Sequence, residues 1–155
     1  MHNAHGTGTS AVTSPAENLN WFDTTPGEQM AIRIHSKDVA GAFTVIEAHV
    51  PPLSGPPLHY HDEREEIFEV LDGKFRFHCA GDEFDTGPGS SVVVPRHSVH
   101  SWVNLGAKPA RILFTLVPGG IDEFFPQIGQ TPPEGWIPLG RRHDTHIVGG
   151  PLIVG

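Results

Sequence analysis

The side chains most able to do chemistry here are histidines and glutamates set at short, regular intervals. His59 and His61 stand two residues apart in Pro56-Pro-Leu-His-Tyr-His61. In a β-strand, residues two apart point to the same side, so this spacing aims both imidazoles at one point. A carboxylate arriving on the next strand can join them, and Glu63, Glu65, Glu66 and Glu69 all follow closely. His100 offers a third imidazole: Pro95 ends one run of β-formers, a turn follows, and His100 opens the next run. Neutral imidazoles with one carboxylate suit a divalent first-row transition metal, whereas calcium and magnesium favour all-oxygen sites.

Such groups need a scaffold of short strands to bring them together. From Trp21 the chain breaks into β-like runs at Met30–His35, Phe43–Val50, Glu66–Leu71, Lys74–Cys79, Val92–Val94, Val99–Asn104 and Arg111–Val117. Thr44, Ile46, Ala48 and Val50 fall on one face of the second run. Four prolines between Val50 and Leu58 forbid helix there. Asp72-Gly73, between two β-like runs, signals a hairpin. Gly81–Gly89 reads as turns around a weak strand. Residues 121–128 allow a short helix, limited by Pro126. The apolar stretch Ile147–Val154 is expected to pack across the barrel or against a partner subunit. The expected organisation is a disordered segment over residues 1–18, a β domain over 19–128 and a tail over 129–155.

Composition agrees with this. The 155 residues include 18 glycines and 15 prolines, the punctuation of an all-β chain with many turns. The formal net charge of −8, with no basic stripe, argues against nucleic-acid binding. No apolar run approaches the roughly 18 residues of a membrane span, and no secretory signal opens the chain. A cytoplasmic protein is the expectation. One cysteine, Cys79, excludes an intrachain disulfide and reads as a buried, inert thiol. Of the eleven histidines, His2 and His5 fall in the segment read as disordered.

Two segments resemble the two motifs of the cupin superfamily. The first runs His59-x-His61, a four-residue gap, Glu66, a six-residue gap and Gly73; the second runs Gly89, a five-residue gap, Pro95, then His100 four residues before Asn104. Fifteen residues, Lys74 to Pro88, separate them, as in small single-domain cupins. The flanking segments are similar to the quercetin-dioxygenase-like branch. This resemblance implies a double-stranded β-helix, or jelly-roll barrel, with a short C-terminal helix. It implies one divalent transition metal (Mn, Fe, Co, Ni, Cu or Zn) held by His59, His61, Glu66 and His100. Strict alternation from His61 would favour Glu65. Counting back from Gly73 selects Glu66, which shares a face with Phe68 and Val70, and a turn over Asp62–Glu65 would free the parity. The family usually has glycine where His97 stands, and the sequence leaves open whether His97 reaches the pocket.

A three-histidine, one-glutamate set leaves coordination positions free, as a reacting site requires. The function expected is a dioxygenase-type oxidoreductase acting on a small, oxygen-bearing, polyphenol- or enol-like substrate, with Glu66 also serving as the catalytic base. The alternatives are a non-redox isomerase, cyclase or lyase, and a non-catalytic binding or sensing barrel. A homodimer is expected from the family and from exposed sheet edges. His49, His78, Glu47 and Trp102 are further candidates for the barrel lining, while His143 and His146 read as solvated.

Overall fold

In a computed structural model, residues 8 and 10–155 are described; His2 and His5 lie outside them. Among the described residues, eleven strands and two short α-helices follow in order: β1 (Trp21–Asp23), β2 (Gln29–Ile34), β3 (Thr44–Val50), β4 (Pro57–Tyr60), β5 (Glu65–Asp72), β6 (Phe75–Cys79), β7 (Asp82–Thr86), β8 (Ser91–Val94), β9 (His100–Asn104), β10 (Ala110–Val117), α1 (Phe124–Ile128), α2 (Trp136–Arg142) and β11 (His146–Pro151). They form two antiparallel sheets, ordered β1-β2-β3-β10-β5-β8 and β11-β4-β9-β6-β7. This is the jelly-roll barrel with C-terminal helices.

Alternation along the strands builds the interior. Thr44, Ile46, Ala48 and Val50 of β3 are buried, as are Phe68 and Val70 of β5 and Ile112, Phe114 and Leu116 of β10. Opposite them stand Phe75 and Phe77 of β6 and Trp102 of β9. Phe68 packs edge-on against Phe77 across the gap between sheets, with ring centroids 5.2 Å apart.

The hairpin expected at Asp72-Gly73 does not form. β5 pairs with β10 and β8, whereas β6 pairs with β7 and β9. The turn instead hands the chain from one sheet to the other, as a double sheet must do repeatedly. The hairpin falls one turn later, between β6 and β7, where Ala80 and Gly81 both take positive φ (51° and 90°). Pro126 does not limit α1. It occupies the third position of the helix, in the first turn, where a missing N–H breaks no intrahelical bond.

The segment after α1 holds α2, which nothing in the sequence reading anticipated, and β11, which pairs along β4. Cys79 is half-buried and packs against the core. Among the described residues, no helix is long and apolar enough to cross a membrane.

Candidate metal centre

Two of the four donors stand on neighbouring strands of one sheet, a third just beyond one of those strands, and the fourth on the other sheet. His59 lies on β4 directly opposite His100 on β9. His61 follows just past the end of β4, and Glu66 stands on β5 between Leu116 of β10 and Val94 of β8. The turn over residues 62–64 breaks the alternation that would have favoured Glu65. Glu65 points outward to Arg96 at 3.0 Å, and Glu66, Phe68 and Val70 point inward. All four residues are buried, and one ligand atom from each lies within 4.8 Å of the others.

Two close main-chain seams hold the sheets' contributions in register. Leu53 N–H donates to Asn104 O at 2.9 Å, and Asn104 N–H donates to Ser54 O at 3.1 Å. Between these segments Gly55 passes so near β9 that a Cβ would lie 1.8 Å from Trp102 O, so only glycine fits. At the other end, His97 N–H donates to His61 O at 2.7 Å, joining the two motifs. Asn104 is fully buried; its amide donates to Val50 O and Lys108 O and accepts from Gly106 N–H.

Each ring is oriented through its Nδ1. His59 Nδ1–H donates to Pro57 O (2.7 Å), His61 to Asp144 O (2.8 Å) and His100 to Ser98 O (2.9 Å). These bonds fix the tautomer, so the Nε2 atoms present lone pairs. His61 Nε2 and His100 Nε2 then stand 3.1 and 3.0 Å from the same Glu66 oxygen. Lone pairs facing a carboxylate oxygen at this range call for a cation between them, either a proton or a metal ion.

The electrostatics follow from this crowding. Burial holds the His59 imidazole down to about 3, helped by the nearby His100 and His61 rings, so it stays neutral. Burial opposes ionisation of Glu66, but its contacts with His100 and His61 prevail and hold it well below the usual carboxylate range. Burial also opposes a charged His61, and its contact with Glu66 prevails, raising it above an ordinary histidine.

Asp144, in left-handed backbone (φ 51°), does more than orient His61. Its carboxylate accepts from the N–H groups of Asp62 and Glu63, both at 2.9 Å, and from Arg64 at 3.2 Å. The turn that switches Glu66 inward is thus fastened by a residue some eighty positions downstream.

His59, His61 and Glu66 line a cavity of about 90 Å³, walled largely by Met30, Trp102, Phe114, Phe124, Phe125 and Leu139. A larger hollow of about 460 Å³ adjoins it, and Thr25, Gly55, Pro57, Trp136 and Ile147 line both. Of the four further candidates for the lining, Trp102 borders the cavity and the others do not. Glu47 and His49 lie on the outer face of the sheet with Arg33 and Arg111, and His78 neighbours Glu83. His97 takes positive φ (69°) as glycine would, and its exposed ring donates to Asp62 rather than entering the cavity. His143 and His146 are half-buried rather than fully solvated: the first packs on Phe124 and the second stacks on Tyr60. Thr25 and Glu28, which also line the cavity, were missed because an acid after Thr-Thr-Pro-Gly looks like an ordinary exposed turn.

The family model for the cupin domain matches residues 46–116, which span both motifs. The chain contains a cupin domain. Quercetin 2,3-dioxygenase of Bacillus subtilis is 33% identical over 101 residues, 65% of this chain and 29% of that protein. The chain therefore spans under a third of that relative, and 60% of a second curated relative, an uncharacterized protein of Methanocaldococcus jannaschii. Among solved structures, KdgF from a Halomonas species superposes with a TM-score of 0.66 at 21% identity, covering 74% of this chain and 99% of its own. The nucleoside dehydratase Pac13 superposes at 0.63 with 12% identity, covering 92% and 95%. These two likenesses are of fold.

Proposed function

We propose that this cupin is a metal-dependent enzyme of the dioxygenase type, with His59, His61, Glu66 and His100 holding one divalent transition metal. The observation that carries this reading is the convergence of three Nδ1-tethered imidazoles and one carboxylate at the wall of an apolar cavity, with the His61 and His100 rings on the same carboxylate oxygen. Neutral Nε2 donors with a carboxylate fit such an ion. When bound, it supplies Lewis acidity and, if redox-active, a place for O2 chemistry. His59, neutral at all physiological pH values, contributes its lone pair without a competing proton. Glu66 holds a proton-accepting oxygen beside the reacting space and serves as the base for a substrate hydroxyl. The aromatic wall orients a small, largely apolar, oxygen-bearing substrate and keeps water out. The 33% identity to a quercetin dioxygenase favours oxygen chemistry.

The test is metal content and oxygen uptake together. Wild-type protein should carry about one transition metal per chain, lost in folded His59→Ala and Glu66→Ala variants. It should consume oxygen with at least one member of a flavonol and catechol panel. A folded wild type that stays metal-free after reconstitution overturns the reading. Metal without oxygen uptake points to non-redox isomerase or lyase chemistry, for which the second acid in the cavity, Glu28, is the supporting observation. Tight binding without turnover points to a sensing barrel.

A further inference from the structure

The cavity has a second polar end, made by the turn between β1 and β2. Thr24 N–H donates to Glu28 O at 3.1 Å and Glu28 N–H to Thr25 O at 3.0 Å, which closes the turn. This geometry sets the Glu28 carboxyl into the cavity wall at 4% exposure, with the Thr24 hydroxyl donating to one of its oxygens. The Thr25 hydroxyl lines the same cavity. Among the described residues, its Oγ1 is a buried side-chain atom with no hydrogen-bond partner. Buried polar atoms are normally paired, so an orphan lining the same cavity as an acid, in a wall made mostly of aromatic and aliphatic groups, asks for a partner from outside the chain.

The surroundings define what that partner is. No lysine or arginine lines the cavity; the other titratable groups there are His59, His61 and Glu66. Burial lifts the Glu28 carboxyl to about 7, with the Thr24 hydroxyl bond pulling it partly back. Near neutral pH it is therefore partly an uncharged O–H donor, suited to an oxygen function rather than to a cation.

We propose that Glu28, with the Thr25 hydroxyl, is a second anchor for the substrate. It hydrogen-bonds one oxygen of a compact, largely apolar ring whose other oxygen faces the histidine–glutamate cluster. The substrate class is then an aromatic or enolic molecule bearing at least two oxygen functions. This rests on the reading of the cavity as a substrate pocket, though the hydrogen bond itself does not need the metal.

The test uses zinc-reconstituted protein, so that the probes are not oxidised, titrated with phenol, catechol, resorcinol and hydroquinone. Quenching of the fluorescence of Trp102 and Trp136, both in the cavity wall, reports binding. At pH 6, at least one dihydroxybenzene should bind wild type tenfold or more tighter than phenol. Glu28→Leu should reduce that preference to near unity, and Glu28→Gln, which keeps a donor and an acceptor, should retain most of it. Between pH 6 and 8.5 the wild-type preference should change threefold or more while that of Glu28→Gln stays flat; phenol as reference cancels titration of the histidines. A wild type that prefers no dihydroxybenzene, or binds none of the four probes, overturns the proposal. So does a folded Glu28→Leu variant with wild-type preference. Zinc content measured on the same samples separates this from failure of the metal centre, and a zinc-free protein is titrated as it stands.

Discussion

At the residue scale, the four donors and Glu28 are held by opposite physics. The donors are buried among partners that favour their working forms, whereas Glu28 is buried without a counter-charge. Its folded-state pKa of about 7 lies above the ordinary 4.5. Its contribution is therefore fully present below about pH 4.5 and is lost as pH rises through 7. The shift corresponds to about 3 kcal/mol at pH 8. Glu28→Gln should accordingly unfold at higher urea than wild type at pH 8, and the two should converge at pH 4.5. Equal midpoints at both pH values would show that the carboxyl is already relieved of its burial. Metal-free protein should bind metal more weakly as pH falls, because the proton that His61 shares with Glu66 competes with it. Proton release on metal addition, read with a weakly buffered indicator dye, checks this.

At the scale of elements, the site depends on one glycine at a close crossing and on one distant carboxylate that fastens a turn. Gly55→Ala would drive a methyl into the Trp102 carbonyl, so β4 and β9 must separate where His59 faces His100. A loss of about 1–3 kcal/mol is expected by chemical denaturation, with weaker metal binding alongside. Asp144→Ala frees the turn over residues 62–64 and the backbone that holds His61, and metal affinity should fall about 10–100-fold with the fold intact. Chelator competition measures it, and unchanged affinity would show that the turn stands without its carboxylate. Much of this was legible in the sequence. Alternation found the buried face of β3, and the spacing before Gly73 chose Glu66 over Glu65, which the turn after His61 then explains. What escaped depended on pairing across the chain. Asp72-Gly73 looks like a hairpin because local turn chemistry cannot say whether the next strand pairs with its predecessor or changes sheet. α2 escaped because Pro138 and Gly140 argue against helix locally, while contacts with β11 and α1 support it. Asp144 carried no local signal, since its partners lie near residue 62.

At the scale of the whole molecule, metal binding should add stability by mass action, about 4 kcal/mol when free metal exceeds its Kd a thousandfold. Excess chelator should thus lower the melting temperature of wild type and leave Glu66→Ala unmoved. We also propose a homodimer: the sheets leave β1, β8, β11 and β7 as edges, and Trp21, Val93 and Val148 stand exposed along them. Light scattering should give twice the 16.8 kDa chain mass, and a monomer at micromolar concentration would refute it.

The long reach from Asp144 back to His61 also sets an order of events during synthesis. A nascent chain that has emerged as far as β10 already carries all four donors, yet the carbonyl that fixes the His61 tautomer is still within the ribosome. The cluster should thus reach its full affinity for a metal only once Asp144 is in place against His61. A chain cut before Asp144 should therefore release its ion to a chelator that the full-length protein resists.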